Sequence, residues 1–282
     1  MPFPPARRPM PELPDLEVIK EHLERVLPGQ RIEGVELLRP LVVRNLLQGD
    51  FVSALEGREL SGVRRRGKFL LLDLESGEKL VVNPMLAGRL HYCEPKERRQ
   101  KKTFVILHLS GGMDLRYVDA KAMGKVYLTT DPNLIPGFAR QGPEALDPEL
   151  TLEAFQDRLR RRRGEIKGVL TNQAVLAGIG NAYADEILFR AELYPFRKRP
   201  SLSAEEVERL HDAIRSVLSE VIVTLRERVG DEIDVKVRDF LEVHGKGGTP
   251  CPRCGTIISE IRARNRLTNF CRTCQPGTMI AG

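Results

Sequence analysis

Tryptophan is absent from this chain and aromatic residues make up only 5% of it, which argues against recognition built mainly on stacking rings against unpaired bases. No apolar stretch reaches the roughly 20 residues that a membrane-spanning helix needs. No secretory signal is read, so an oxidising extracellular setting is not expected. Cysteine is scarce, with five in 282 residues. A dinucleotide-binding fingerprint is disfavoured, because Gly178-Ile-Gly180 has no third glycine at the required place and no strand ahead of it.

What cysteine there is, is concentrated. Cys251-Pro-Arg-Cys254 is followed, after sixteen residues, by Cys271-Arg-Thr-Cys274, and paired knuckles at this spacing suit a tetrahedral zinc ion held by four thiolates. Two disulfides are the alternative. A closed four-thiolate site leaves no position for a substrate or an activated water, so the expected metal is a single structural Zn2+. It would hold a short two-stranded ribbon carrying Arg253, Arg262, Arg264, Arg266 and Arg272. Cys93 stands apart as a bystander.

The net charge of +6 and pI of about 9.1 are unevenly spread. Arg64, Arg65, Arg66 and Lys68, the run from Arg98 to Lys102, the arginines from Arg158 to Arg163 and the ribbon hold the excess. A charge run is often only a solvated face, but four separated clusters beside a zinc ribbon favour nucleic acid, and duplex phosphate in particular.

Residues 11–30 place Leu16, Ile19, Leu23, Val26 and Leu27 at helical spacing, stopped by Pro28-Gly29. Short β-like runs follow, Phe69-Leu-Leu-Leu-Asp-Leu74, Lys79-Leu-Val-Val82, Phe104-Val-Ile-Leu-His-Leu109 and Asp114-Leu-Arg-Tyr-Val118, and predict a β-sandwich or barrel. A stretch with four prolines, 131–148, separates them from helical patterns at 152–163, 168–171, 182–191 and 204–228. The expected class is α+β: an N-terminal β-sandwich with flanking helices at 11–135, a helical DNA-binding domain at 136–241, and a zinc ribbon with tail at 242–282.

Six elements in order then carry a resemblance. They are Pro11-Glu12-Leu-Pro14-Asp15-Leu-Glu17, Arg66-Gly-Lys68-Phe-Leu, Gln141-Gly-Pro-Glu144-Ala-Leu, Gln173-x4-Gly-Ile-Gly-Asn181-x-Tyr-Ala-Asp-Glu186, Val243-His-Gly-Lys-x-Gly, and Arg266-x-Thr-x-Phe-Cys271. From Pro11 to Gln275 the chain resembles the formamidopyrimidine-DNA glycosylase and endonuclease VIII family. The resemblance implies an N-terminal β-sandwich, a helix–two-turn–helix domain and a zinc finger. It also implies a bifunctional glycosylase and abasic-site lyase of base excision repair, acting as a monomer on damaged double-stranded DNA. Oxidised bases of the formamidopyrimidine or 8-oxoguanine type would be its targets, in a bacterial cytoplasm at the nucleoid.

In that chemistry a terminal proline amine attacks C1′ of the damaged nucleotide and expels the base. An α-amine of pKa about 8 is roughly ten per cent neutral at pH 7, whereas a lysine near 10.4 is well below a tenth of a per cent. A secondary amine gives a charged iminium directly, and that electron sink acidifies the C2′ proton for β- or β,δ-elimination. By resemblance, Pro11 is the nucleophile, Glu12 the proton shuttle, Lys68 a second acid near the phosphate, and Arg266 the clamp on the phosphates flanking the lesion. Asn181 and Lys167 would hold the DNA backbone, with Met85, Lys121, Met123, Arg162 and Arg264 as further contacts. Taken singly, Glu12 and Asp15 read equally as helix N-terminal charges and Lys68 as a solvated strand end.

Three departures qualify the resemblance. Ten residues precede Pro11, and a proline inside a peptide bond is no nucleophile, so translation is expected to begin at Met10. Residues 119–124 read Asp-Ala-Lys-Ala-Met-Gly, where 8-oxoguanine enzymes typically carry Asp-Pro-Arg-Arg-Phe-Gly; Ala122 and Met123 replace the inserted arginine and phenylalanine, and Val82 replaces a histidine. Discrimination of the opposite base should therefore be weak. The segment 230–240 is short and charged rather than a long glycine-rich cap for a flipped purine, which keeps open an endonuclease VIII-like taste for oxidised pyrimidines. A non-catalytic damage-binding protein is the rival from another class, and a zinc-ribbon transcription or RNA-binding factor a third.

Overall fold

The computed structural model describes residues 10–263 and 266–277. These form two compact units, one of residues 10–139 together with Leu225–Lys236, the other of Arg140–Thr224 together with residues 237–277. The last turn of the long helix 204–229 and the segment after it thus return to the first unit, an arrangement that no single linear boundary expresses.

In the first unit, Leu13–Val26 forms helix α1, with Pro14 in its first turn and Arg25 in its last, as helix start and stop chemistry favours. Leu16, Ile19 and Leu23 lie on its buried face. Each such side chain contributes roughly 1.5–3 kcal/mol when fully buried. Two sheets follow. Ile32–Leu37 (β1), Thr103–Leu109 (β7), Asp114–Asp119 (β8) and Gly88–Cys93 (β6) make the antiparallel order β1-β7-β8-β6. Val43–Asn45 (β2), Lys125–Thr129 (β9), Lys79–Asn83 (β5), Phe69–Leu74 (β4) and Leu60–Arg66 (β3) make the second sheet in that order, with β2 parallel to β9.

Strand alternation explains the layering. Leu70, Leu72 and Leu74 of β4 enter the large core with Leu80, Val105, Leu107, Leu115 and the α1 leucines, whereas Phe69 and Leu71 face a smaller cluster with Val81 and Ile135. The β-sandwich expected from the short runs is what forms. Strands β1, β3 and β6 were not read from the sequence, because Gly34, Gly62 and charged residues interrupt their apolar alternation.

The second unit holds Leu152–Arg160 (α3), capped by Thr151 Oγ1 on Ala154 N–H, then Ile166–Leu170 (α4), Asn181–Arg190 (α5) and Ala204–Val229 (α6). Gln173 closes the α4–α5 hairpin, donating to Ile179 O at 2.8 Å and accepting from Gly178 N–H at 2.9 Å. Ser259–Ala263 (β10) and Arg266–Phe270 (β11) form the antiparallel ribbon. Its apolar cluster, Phe189, Val243, Cys251, Ile258 and Cys271, is too small to fold unaided.

At one end of the sandwich, Gly124 is required by its surroundings. A Cβ there would lie 1.9 Å from the Tyr117 hydroxyl and 2.9 Å from Asn83 O. Gly168, within α4, meets nothing within 4 Å. Gly124→Ala is expected to destabilise by about 1–3 kcal/mol through overpacking, and Gly168→Ala to stabilise by about 0.5–1 kcal/mol through helix propensity. Urea unfolding of the two variants beside the unaltered protein checks both signs.

Candidate active site

Helix α1 begins where the nucleophile was expected. Glu12, 2% exposed, is the residue before its first turn, and its backbone N–H donates to Asp15 Oδ2 at 2.8 Å in a capping box. Pro11 is buried beside it. Two contacts fix α1 to strand β3: Glu17 pairs with Arg65 at 2.6 Å, and the Glu24 carboxylate accepts from Val63 N–H. The β3–β4 turn is Gly67-Lys68, with Gly67 at φ +55° where glycine is at ease. Lys68 Nζ lies 3.9 Å from Met10 Sδ. The start of α1 and the hairpin therefore bring Pro11, Glu12 and Lys68 into one neighbourhood of the first unit.

A cleft of about 20 Å3, room for a single water, borders Pro11 and is lined by Asp15, Leu70, Gly88, Ile233 and Asp234 among others. Segment 230–240 contributes to it as a pinned element. Ile233 is in the sandwich core, Asp231 accepts from the His22–Arg25 pair with His22 Nδ1 at 3.0 Å, and Asp234 lies 3.7 Å from Arg89 Nε. Burial lowers the His22 pKa while Asp231 opposes the shift.

Register places the loop carrying Met85 beside the loop carrying Ala122 and Met123, since Asn83 pairs with Lys125 and Gly88 with Asp119. Met85 and Ala122 both take left-handed backbone, at φ +48° and +54°, which for non-glycine residues costs of order 1–3 kcal/mol and concentrates at functional loops. Asp119 braces the second loop, accepting from Lys121 N–H at 2.9 Å and Gly124 N–H at 2.7 Å. Lys121 is exposed and Met123 is 43% exposed, whereas Ala122 packs against the core. The position of the missing arginine is thus turned to packing.

In the second unit, Lys167 is differently employed than the sequence suggested. It is 7% exposed, and its ammonium reaches Asp185 Oδ1 at 2.6 Å, Leu267 O at 2.8 Å and Thr268 Oγ1 at 2.9 Å. Asn181 Nδ2 donates to the same Leu267 carbonyl at 2.7 Å. Both expected backbone contacts therefore fasten α4 and α5 to ribbon strand β11, next to Arg266, which is exposed and donates to Thr171 Oγ1 at 3.0 Å. Three arginines of the basic runs also have partners within the protein. Arg64 is bidentate on Asp73 at 2.6 Å, Arg65 is on Glu17, and Arg158 donates to Val175 O at 3.0 Å. Arg162 is half-buried at the end of α3. Arg264 lies outside the described residues.

The sequence reading quoted Asp185 and Glu186 without giving them work. Asp185, fully buried, also meets His244 Nδ1 at 2.7 Å and accepts from Asn269 N–H at 3.2 Å. Glu186 accepts from the N–H groups of Glu242, Val243 and His244 at 2.8–3.0 Å. Burial raises the Glu186 pKa and those three donors oppose the rise. Two acids adjacent in a motif that is otherwise apolar were the available signal.

Cys251, Cys254, Cys271 and Cys274 bring their sulfurs within 4.8 Å of one another, with Cys251 and Cys274 at 3.8 Å and Cys254 and Cys271 at 3.4 Å. A disulfide requires about 2.05 Å. Four sulfurs bonded at 2.3 Å to a tetrahedral zinc are about 3.8 Å apart, so the donor set fits one structural zinc. Burial pushes the remaining Cys93 thiol up to about 11, which makes it a poor nucleophile. Exhaustive chelation should remove the ribbon's zinc and weaken DNA binding at least tenfold while the sandwich stays folded. Metal analysis, gel shift and circular dichroism on the same sample check this.

Residues 10–126 match the family model of the formamidopyrimidine-DNA glycosylase N-terminal domain, 141–230 that of its H2TH domain, and 248–277 the zinc finger found in FPG and IleRS. A formamidopyrimidine-DNA glycosylase of Pelotomaculum thermopropionicum is 38% identical over 94% of this chain and 99% of its own length. That of Heliobacterium modesticaldum is 40% identical over 94% and 100%. Lactococcus lactis Fpg in complex with abasic-site DNA superposes with a TM-score of 0.86 at 29% identity, covering 94% of this chain and 100% of that one. A complex of wild-type Lactococcus lactis Fpg with DNA containing an oxidised pyrimidine gives 0.84 at 30%, over 95% and 100%. No helix among the described residues is long and apolar enough to cross a membrane. Three family domains in chain order, with relatives matched over almost their whole length, make this chain a member of the formamidopyrimidine-DNA glycosylase family, the zinc-finger DNA glycosylases of base excision repair.

Proposed function

We propose that this chain excises oxidised bases of the formamidopyrimidine or 8-oxoguanine type from duplex DNA and nicks the strand, with the α-amine of Pro11 as nucleophile. The observation that carries the reading is the start of α1. Pro11 is buried against a capped helix, with Glu12 next to it and Lys68 close to Met10. Initiation at Met10 followed by its removal frees that amine. One fact supports this start: the family match begins at residue 10.

The neutral amine attacks C1′ as the bond to the base breaks, and the base leaves as its nitrogen takes up a proton. The C1′–O4′ bond then opens with Glu12 delivering a proton to O4′, and the proline nitrogen, having lost its own proton, becomes the iminium. That iminium lets C2′ lose a proton, and β-elimination breaks the C3′–O bond and releases the 3′ side; in a β,δ course a second elimination also breaks the C5′–O bond. Lys68 assists as an acid near the phosphate, and Arg266 clamps the phosphates flanking the lesion. Lys167 and Asn181 serve by holding Leu267, and with it Arg266, in place. Met85, Lys121 and Met123 contact DNA from the paired loops, and Arg162 and Arg264 contribute charge. The enzyme works as a monomer in a bacterial cytoplasm, at the nucleoid.

Oxidised pyrimidines are a second substrate class, favoured by two observations. The wedge loop offers a flexible methionine in place of an arginine and a ring, and segment 230–240 is pinned by Ile233 rather than arranged as a long cap. With Ala122 packed inward, that position offers no cation to read the orphaned base.

The version beginning at Pro11 should cleave duplexes containing a formamidopyrimidine lesion with less than tenfold spread among the four opposite bases, and Glu12→Gln should lower the rate by about 10²–10⁴-fold while binding is retained. A strong preference for cytosine would refute the wedge reading. DNA binding without any turnover would favour a damage-binding protein instead.

A further inference from the structure

His91 and Cys93 stand two positions apart on β6 and share one face of that strand, opposite Leu90 and Tyr92, which pack on the sandwich core. Their cross-strand partners on β8 are Arg116 and Asp114. Arg116 is buried; it donates to Asp114 Oδ2 at 2.7 Å and to the carbonyls of Glu94, Pro95 and Glu97 at 3.3, 2.9 and 2.9 Å. The chain after β6 is thereby folded back over this face. That return carries the Glu97 carboxylate to 3.5 Å from His91 Nε2.

One ligand atom from each of His91, Cys93 and Glu97 lies within 4.8 Å of the other two. The 3.5 Å between imidazole and carboxylate is close to the roughly 3.3 Å separating two ligands bonded at about 2.05 Å to a tetrahedral ion. The second ring nitrogen, His91 Nδ1, is buried without a hydrogen-bond partner among the described residues, where buried polar atoms are ordinarily satisfied. No acceptor among the described residues holds a proton on Nδ1, and the Glu97 carboxylate is the group that faces Nε2. Cys93 is buried, and Glu97, with 48% of its side chain exposed, opens the cluster to solvent. One sulfur, one nitrogen and one oxygen donor suit a borderline-soft divalent ion such as zinc; calcium and magnesium take oxygen.

We propose that His91, Cys93 and Glu97 form a second, open zinc-class metal site in the sandwich, separate from the four-cysteine ribbon. Loading needs no redox partner: the Cys93 thiol loses its proton to solvent as the sulfur–metal bond forms, and the ion exchanges three waters for three protein ligands. A fourth position stays with water. Arg116, beside the thiol, is bound to Asp114, and Glu97 and Asp234 add negative charge around the sulfur. A bound ion fastens the 94–97 return to β6, so occupancy raises the thermal stability of the sandwich.

Cobalt(II) tests this, because a cobalt–thiolate bond has its own charge-transfer absorption. The full protein, its ribbon loaded with zinc, is titrated with cobalt(II) and then with zinc. The expected result is one additional cobalt equivalent with a charge-transfer band, absent in Cys93→Ser, and at least tenfold weaker binding in Glu97→Gln. Residue Glu97 is exposed enough for that change to leave the fold intact. Added zinc should raise the unfolding temperature of the unaltered protein and not of either variant. No band in the unaltered protein, the same band in Cys93→Ser, or unchanged affinity in Glu97→Gln would each overturn the proposal.

Discussion

A proline nitrogen has a usable lone pair only when it is not acylated, and the residue proposed to supply it stands at a fixed place in the first unit. Pro11 precedes a helix whose first turn is closed by Asp15 on Glu12 N–H, and whose later turns are tied to β3 by Glu17 and Glu24. These contacts are partly buried and close together in space, so a small displacement of the terminus would disturb several of them at once. The same β3–β4 hairpin presents Lys68. The position of the proposed reacting atom is thus set by a helix start and a tight turn, both among the better-defined pieces of backbone.

The second unit depends on buried charge in a similar way. Lys167, Asp185 and His244 form a buried chain that satisfies itself, and Leu267 O receives both Lys167 and Asn181. Breaking one member of such a set strands the others, which is why buried pairs are costly to dismantle. Because the acceptor carbonyl is next to Arg266, this interior network decides where an exposed arginine stands. The zinc completes the arrangement, since the ribbon's five-residue apolar cluster cannot hold β10 and β11 by packing.

Much of this was legible in the sequence. The zinc spacing, the α1 periodicity and the leucine-rich β4 carry their own signals, and the family resemblance organised the remainder. Strands β1 and β3 were illegible because Gly34 and Gly62 interrupt them. Their outward faces are also charged, and those charges meet partners far along the chain: Arg65 is answered by Glu17, 48 residues earlier. The partners of Arg64 and Arg65 could not be read from the cluster itself. The same holds for Lys167, whose contacts with Asp185 and the ribbon carbonyl lie 18 and 100 residues away in the sequence. Ala122 shows the converse: the substitution was visible, but its packing against the core was not.

The central claim is that the amine of Pro11, once terminal, forms the covalent bond to DNA. Borohydride trapping on an abasic-site duplex, with proteolytic mapping of the adduct, tests it most directly. The version beginning at Pro11 should cross-link, with the sugar remnant on Pro11, and the 282-residue chain should not. Equal trapping by both versions, or an adduct on Lys68 or another lysine, would contradict the account.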